Sequence, residues 1–579
     1  LPLRAVGAEQ NAKRRGGIPE MELVVFEENK PLVLQELENG EFDYMEAASE
    51  VFETEFFKYI GAKNILAKAA QTYPTPREKQ EVPLWLYIAS ELTMRLHGVH
   101  SFHAYPMVVR TGGMLNALAP KINRSTLHPD TNDMAIACEG FNRKNHYDRQ
   151  TPCDQDFLRK LARDTDADAL MRWFNNDIAR IFHAQRAFDK EGIFIGDASY
   201  IFVPDNPDYE GSARLLFDEN NHPVSQEDLK KMTDERKVRC QWKRCYKMVT
   251  LLHTNAKLGF FVFVAVKVVS GNDHECPLLY ELVEQFIGAL GKGVMKKLIL
   301  DRGFLDGMEI SRCKSEYGID ILIPVRKNMD VYIDAMSLFQ LPDVAWVVCE
   351  EPKQEKKQPP RLKPEAVRKR ERKRQETLKE RRREQPPPSP DTVIVKQEAA
   401  VIGDFTSWSS CTVPLSVVAN REHYADGHQE CWLLISTQKH IHNPATARQE
   451  YHLRTATEER YRQLKCFTNL ADFTSRAFSL VVNQIVFTML AYNLLQLYLL
   501  RKGREELNTK TPMSLRRQLL PVASHIIIYR GNYYGLFTPM EFAELLALGL
   551  NDNARKKIGE KCRRQRRELT ELIGNPRPP

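Results

Sequence analysis

The sequence predicts an α/β core, a mixed sheet with flanking helices, interrupted by a mostly β insertion and bordered by helical N- and C-terminal domains. Three observations predict it. Between residues 192 and 330, apolar runs of strand length alternate with helical patterns. From 396 to 443, short β-branched and aromatic runs stand with no helix between them. Outside both stretches, apolar residues recur mainly at helical spacing.

Residues 1–165 read as a mainly helical N-terminal domain. "VPLWLYIASELTMRLHG" (82–98) has the apolar recurrence of a buried helix ending at Gly98, and Thr151 or Asp154 suits the N-cap of the next one. The texture changes at Gly192. "GIFIGDAS" is a short apolar run closing at Asp197, and "YKMVTLLHT" and "LGFFVFVAVKVV" follow as longer strands. Next come a helix through "CPLLYELVEQFIGAL", the strand "KLILD" closing at Asp301, a helix through "GMEISRCKSEYG" and the strand "IDILIPVR". Near-continuous apolar runs imply strands buried on both faces. This order over 166–350 is the one expected of an RNase H-like domain, and other mixed sheets also permit it.

Residues 351–395 form a basic, proline-bounded stretch almost without apolar side chains, read as a disordered linker. Strands return in a β-rich insertion at 396–443, helix returns over 444–500, and 501–579 read as a helical, basic C-terminal region. The net charge is +7, with basic clusters at 13–15, 353–383 and 556–567, a distribution suited to a polyanion. The eleven cysteines lack any CxxC pair, and Cys240, Cys245, His253 and His274 fit no common zinc spacing. Scattered cysteines fit a reducing compartment. No signal peptide is visible, and the chain begins at Leu1, which leaves open whether the native start is present. "AFSLVVNQIVFTMLAYNLLQLYLL" (477–500) could span a bilayer by length, but Asn483, Gln484, Asn493 and Gln496 favour a buried core helix.

Asp197 and Asp301 each end an apolar run, which puts both at the carboxyl edge of a sheet, where open α/β sheets gather their sites. A turn or N-cap role is the plainer reading of either alone. Carboxylates brought together repel and persist mainly around a cation, and oxygen donors favour magnesium or manganese. In "YHLRTATEERYRQLKCF" (451–467), a helix at 100° per residue puts Tyr451, Arg454, Glu458, Arg462 and Lys465 within an arc of roughly 80°. Leu453, Ala456, Leu464 and Phe467 fall on the opposite face, and Glu459 falls outside the row. Such a row is either a salt-bridge ladder or a cationic track beside a metal-binding carboxylate.

The spacing Tyr451, two residues, Arg454, three residues, Glu458, six residues, Lys465 resembles the Y-R-E-K signature of bacterial insertion-sequence transposases of the DDE type. "GDAS" and "LDRGF" resemble the surroundings of that family's first two aspartates. The resemblance implies an RNase H-like core with a β insert before the last catalytic helix, and DNA transposition as the activity. It further implies that Asp197, Asp301 and Glu458 are catalytic and hold two Mg²⁺ ions, with Mn²⁺ able to substitute. Tyr451, Arg454, Arg462 and Lys465 would contact DNA, and Trp432 resembles the insert tryptophan that stacks on a flipped base. Arg302 and His274 lie nearby, with loop or cap roles equally open to them. The implied partners are terminal inverted repeats and target DNA, with a homodimer or larger synaptic assembly and no membrane. The N-terminal domain would bind element ends. The implied location is the nucleoid of a bacterium, or the nucleus of a eukaryote. Two alternatives stand beside this reading: a structure-specific nuclease of the same fold, and a domesticated DNA-binding protein without catalysis.

Overall fold

A computed structural model describes residues 44–48, 51–78, 82–109, 114, 154–255, 259–349, 393–501, 524–529, 532–537, 551–557, 559–560 and 563–564. The strands in chain order begin with β1 Tyr44–Ala48, β2 Ile193–Val203, β3 Ala213–Phe217, β4 Gln241–Asn255 and β5 Phe260–Ser270. β6 Lys297–Ile299, β7 Asp320–Pro324, β8 Val347–Val348 and β9 Ile394–Phe405 follow. The last four are β10 Leu415–Tyr424, β11 Gln429–Ser436, β12 Ser524–Tyr529 and β13 Asn532–Phe537.

Ten of these strands form one sheet, ordered β3-β4-β2-β6-β7-β11-β10-β9-β8, with β5 also paired to β4. The expected mixed sheet is present: β2, β6 and β7 are parallel, β4 pairs antiparallel with β2, and β5 pairs antiparallel with β4. The β insertion does not stand apart from this sheet. β11 pairs antiparallel with β7 through Leu434, Ile435 and Ser436, so β9–β11 prolong it. Residues 351–392, most of the expected linker, lie outside the described residues.

Burial follows the sequence pattern. Cys245–Thr254 of β4 is buried throughout, as a continuous apolar run requires when both faces are covered. Helix Glu275–Leu290 packs on β2, β4 and β5, and helix Arg454–Phe467 packs on β2. β5 forms an edge, and an edge leaves backbone groups without partners. Two carboxamides fill that role. Asn493 accepts from the Phe263 N–H at 3.0 Å and donates to its carbonyl at 2.7 Å. Asn175, in a π-helical turn at Trp173–Ile178, does the same at Val266, at 2.8 and 3.1 Å. Asn493 lies on Phe478–Arg501, which is buried from Leu480 to Leu499. This helix is long and apolar enough to cross a membrane, yet most of it is enclosed by protein. Its polar residues are the reason it suits a core: each of Asn483, Gln484 and Asn493 finds a hydrogen-bond partner there.

The N-terminal helices share that core. Phe56, Tyr87 and Trp173 belong to the same hydrophobic cluster as Val264 of β5 and Phe487. Asp154, one of the two candidate caps, accepts from the Asp156 N–H and starts helix Gln155–Asp164. Leu84–Leu96 is the expected buried helix, with Gly98 at φ 66° just beyond it.

The expectation of a mainly helical N-terminal domain and a helical C-terminal region needs correction where the two ends meet. β12 and β13 form an antiparallel hairpin, and β1 adds to β12, making a separate three-stranded sheet from both ends of the chain. "SHIIIY" and "NYYGLF" are β-branched and aromatic runs separated by Arg530 and Gly531, which is a hairpin signature rather than a helical one. β3 and the short helices Gln226–Lys231 and Asp234–Arg239 also fill the interval between β2 and β4, an excursion the sequence reading did not resolve.

Candidate active site

Strand register brings Asp197 and Asp301 level. β2 and β6 pair in parallel from Ile193 opposite Lys297 to Ile195 opposite Ile299, and each aspartate lies two residues past that last pair. Asp197 does not close its strand, as had been expected. β2 continues to Val203, because Asp197 and its successors pair with Thr250–Arg244 of β4. The aromatic and β-branched run Tyr200–Val203 suits a strand, so the chain stays extended. What stops at Asp197 is the pairing with β6, and the carboxylate stands where the two strands part. Gly196 makes the neighbouring packing possible: a Cβ there would lie 2.7 Å from Leu279 and from Leu300 side-chain carbons.

Asp301 follows β6 and precedes the short turn Arg302–Phe304, but its side chain makes no capping bond. It faces Arg454 instead, with Nη2 at 3.4 Å. The third carboxylate arrives on helix Arg454–Phe467. The single helix assumed from Tyr451 to Lys465 is in fact two, Pro444–His452 and Arg454–Phe467, joined at Leu453. Lys297 anchors the first of them to β6 through Glu450 at 2.5 Å. Arg454 Nη1 reaches Glu458 Oε1 at 2.9 Å, so one guanidinium spans Asp301 and Glu458. Glu459 turns away and receives two bonds from Arg462, both 2.7 Å, and one from Gln463. Arg462 is thus exposed beside Glu459 rather than aligned with the acids, a departure from the single-helix row. Leu464 is buried as the phasing required, and so are Thr457, Arg460 and Tyr461, while the Phe467 side chain lies outside what the structure describes.

The remaining predicted residues border this centre. Lys465 Nζ donates to Ser199 Oγ and to the Tyr200 carbonyl, both at 2.7 Å, which ties it to the strand of Asp197. Burial lowers its pKa to about 8, with Cys466 and Asp197 acting in the opposite sense. Tyr451 and Trp432 face each other with ring centroids 5.9 Å apart. Both line a cavity of about 260 Å³ with Arg302, Lys327 and Tyr332. The Trp432 ring is held by Glu422, which accepts from its indole N–H at 3.4 Å, and by the Arg448 guanidinium 5.2 Å from the ring centroid.

The electrostatics mark Asp197 as the unusual group. Its carboxyl is pushed up to about 7, first by burial; Arg454 and the Ala198 N–H oppose the rise, and Asp301 and Glu458 add to it. Burial works against the Arg454 charge, but Asp197, Asp301, Tyr451 and Glu458 together outweigh it and raise that pKa. Three acids distant in sequence therefore feel one another around a single cation. Among the described residues, no three His, Cys, Asp or Glu side chains close tightly enough to enclose a metal ion as they stand. The donor set is nonetheless of the right kind for a hard cation, being carboxylate oxygens alone.

Sequence reasoning missed Ser199 and Tyr461 beside the acids, and Lys327 and Tyr332 in the cavity. None carried a signal in the sequence: helical phasing puts Tyr461 beside Arg454 and outside the apolar face, and only the structure buries it. None of the curated proteins compared with the chain matches it. The transposase DDE domain family matches residues 190–494, more than half of the chain and a span that includes Asp197, Asp301 and Glu458. The chain belongs to the transposase DDE domain family, a group of enzymes that act on DNA in transposition and use divalent metal ions.

Proposed function

We propose that the chain is a cut-and-paste transposase, in which Asp197, Asp301 and Glu458 form the catalytic acid set. The observation that carries this reading is the meeting of Asp301 and Glu458 at Arg454, with Asp197 brought level with Asp301 by the parallel register of β2 and β6. In the first step, water attacks a phosphorus at the element end in line with the departing 3′ oxygen. The freed 3′-OH then attacks a phosphorus of the complementary strand or of target DNA, so one site serves repeated phosphoryl transfers.

Two divalent ions, Mg²⁺ or Mn²⁺, held by the three carboxylates would lower the pKa of the attacking oxygen and stabilise the leaving one. The residues of the chain do the rest. Asp197, desolvated and raised towards neutrality, gains most from a cation. Glu458, with its side chain 62% exposed, has the freedom to turn inward. Arg454 and Lys465 offer charge to the DNA backbone, and such contacts set register rather than read sequence. A phosphate gives Arg454 a two-pronged partner in place of its carboxylates. Arg462 extends that charge outward. Trp432 and Tyr451 present aromatic faces to a displaced base, with stacking worth about 1–3 kcal/mol. The N-terminal region, sharing the core, would deliver element ends to this site, and two copies would bridge two ends.

The decisive experiment incubates the protein with Mg²⁺, labelled element-end DNA and supercoiled target. Joined product that disappears with Asp301→Ala is expected. Cleavage without joining would favour a nuclease, and cleavage that survives Asp301→Ala would remove the acid set from the chemistry.

A further inference from the structure

Tyr461 lies three residues beyond Glu458, on the same helix, and is 5% exposed. Its ring stacks on Phe263 of β5, with centroids 6.1 Å apart and planes at 21°. A phenylalanine would meet that packing need, so the hydroxyl requires its own explanation. It donates to the main-chain carbonyl of Asp197 at 3.0 Å. Its second contact is the Thr250 hydroxyl at 2.6 Å. A phenol has one proton to give, so with that proton on the carbonyl, Thr250 is the donor to Tyr461. Thr250 is also the register partner of Asp197 across β2 and β4. One hydroxyl therefore pins the helix of Glu458 to both strands at the level of Asp197.

We infer that Tyr461 is a positioning residue that sets the separation between the Glu458 helix and the Asp197 strand, and hence the spacing of the carboxylates that share a divalent ion. The inference rests on the proposed role of those acids. Magnesium demands near-ideal octahedral geometry at about 2.0–2.1 Å, so a helix free to slide by a fraction of an ångström weakens the site. The Phe263 stack remains in Tyr461→Phe, which isolates the hydroxyl.

The test compares wild type, Tyr461→Phe, Thr250→Val and Asp197→Asn as full-length proteins. Three quantities are read: Mg²⁺ activation of element-end cleavage, Mn²⁺ affinity by electron paramagnetic resonance on the DNA-bound protein, and DNA binding in EDTA. Tyr461→Phe should raise the half-activating Mg²⁺ concentration and the Mn²⁺ dissociation constant by roughly tenfold, while DNA binding in EDTA stays within twofold. Thr250→Val keeps the carbonyl contact and should fall between wild type and Tyr461→Phe; it carries the same test if the tyrosine variant misfolds. Wild-type metal affinity in both variants, with Asp197→Asn inactive, overturns the Tyr461 inference alone. Full cleavage by Asp197→Asn overturns the acid set, and this inference with it.

Discussion

Replacing Asp197 by asparagine removes a charge while keeping the outline of the side chain, including an oxygen for the Ala198 N–H that now lies at 2.9 Å. Desolvation of this half-buried carboxyl pushes it up from 3.8 to about 7. An acid with a raised pKa keeps its proton longer in the fold than in the unfolded chain. Its contribution to stability is therefore complete below about pH 3.8, falls as pH rises through the window to about 7, and is flat above it. Each pH unit in that window costs about 1.4 kcal/mol. Between pH 5 and pH 8 the wild type should lose roughly 3 kcal/mol relative to Asp197→Asn, which has nothing to titrate. The N-terminal helices and the α/β core share one hydrophobic cluster, a unit larger than the roughly 250 residues for which 1 kcal/mol moves Tm by about 2 °C, so the gap should widen by roughly 3–5 °C. Thermal unfolding of both proteins in EDTA at the two pH values measures it. Added Mn²⁺ at pH 8 should then raise the wild-type Tm and leave the variant where it was. Parallel pH profiles for the two proteins would refute the claim that Asp197 is a half-buried acid kept neutral by its surroundings.

The paired glutamates give a second test. Glu458→Gln should lower strand cleavage by at least about a hundredfold, whereas Glu459→Gln, which only loosens a contact with Arg462 and Gln463, should keep most of it in the same gel assay. Gly196→Ala forces a methyl against Leu279 and Leu300 and should cost about 1–3 kcal/mol by chemical denaturation. Wild-type stability there would mean that the helix can retreat from β2. Glu91 and Arg95 are an ion pair with 0% and 1% side-chain exposure, and Asn483 also bonds to Glu91. Removing one charge with Glu91→Gln leaves the other buried, so a loss of about 3–5 kcal/mol is expected in the same denaturation assay. Because Arg95 also meets His100, which bonds the Thr468 carbonyl just past the Glu458 helix, the variant should lose cleavage at temperatures the wild type tolerates.

Much of this architecture was written in local pattern. The strands β4 and β5 are legible as near-continuous apolar runs of strand length, and the helix Glu275–Leu290 by apolar recurrence at helical spacing. Residues 477–500 could be read as a core helix because amide side chains interrupt an otherwise membrane-like run. The hairpin β12–β13 was also legible, in "SHIIIY" and "NYYGLF", but the basic segments around it drew the reading towards helix. By contrast, the extension of β2 beyond Asp197 depends on the partner strand β4, and the joint at Leu453 on where helix Pro444–His452 docks, through Lys297 and Glu450. Neither partner is adjacent in sequence.

Asp197, Asp301, Tyr451, Arg454, Glu458 and Lys465 could be nominated from the linear chain, because their spacing and surroundings resemble the Y-R-E-K signature and the two aspartate motifs of DDE transposases. Their proximity could not, since it arises from parallel register between β2 and β6 and from the docking of a helix more than 150 residues beyond Asp301. Folding also divided the two adjacent glutamates: Glu458 meets the Arg454 that bridges to Asp301, and Glu459 is taken up by Arg462. The raised pKa of Asp197 belongs wholly to the tertiary structure, because burial and the fields of distant charges exist only once the chain has closed around it.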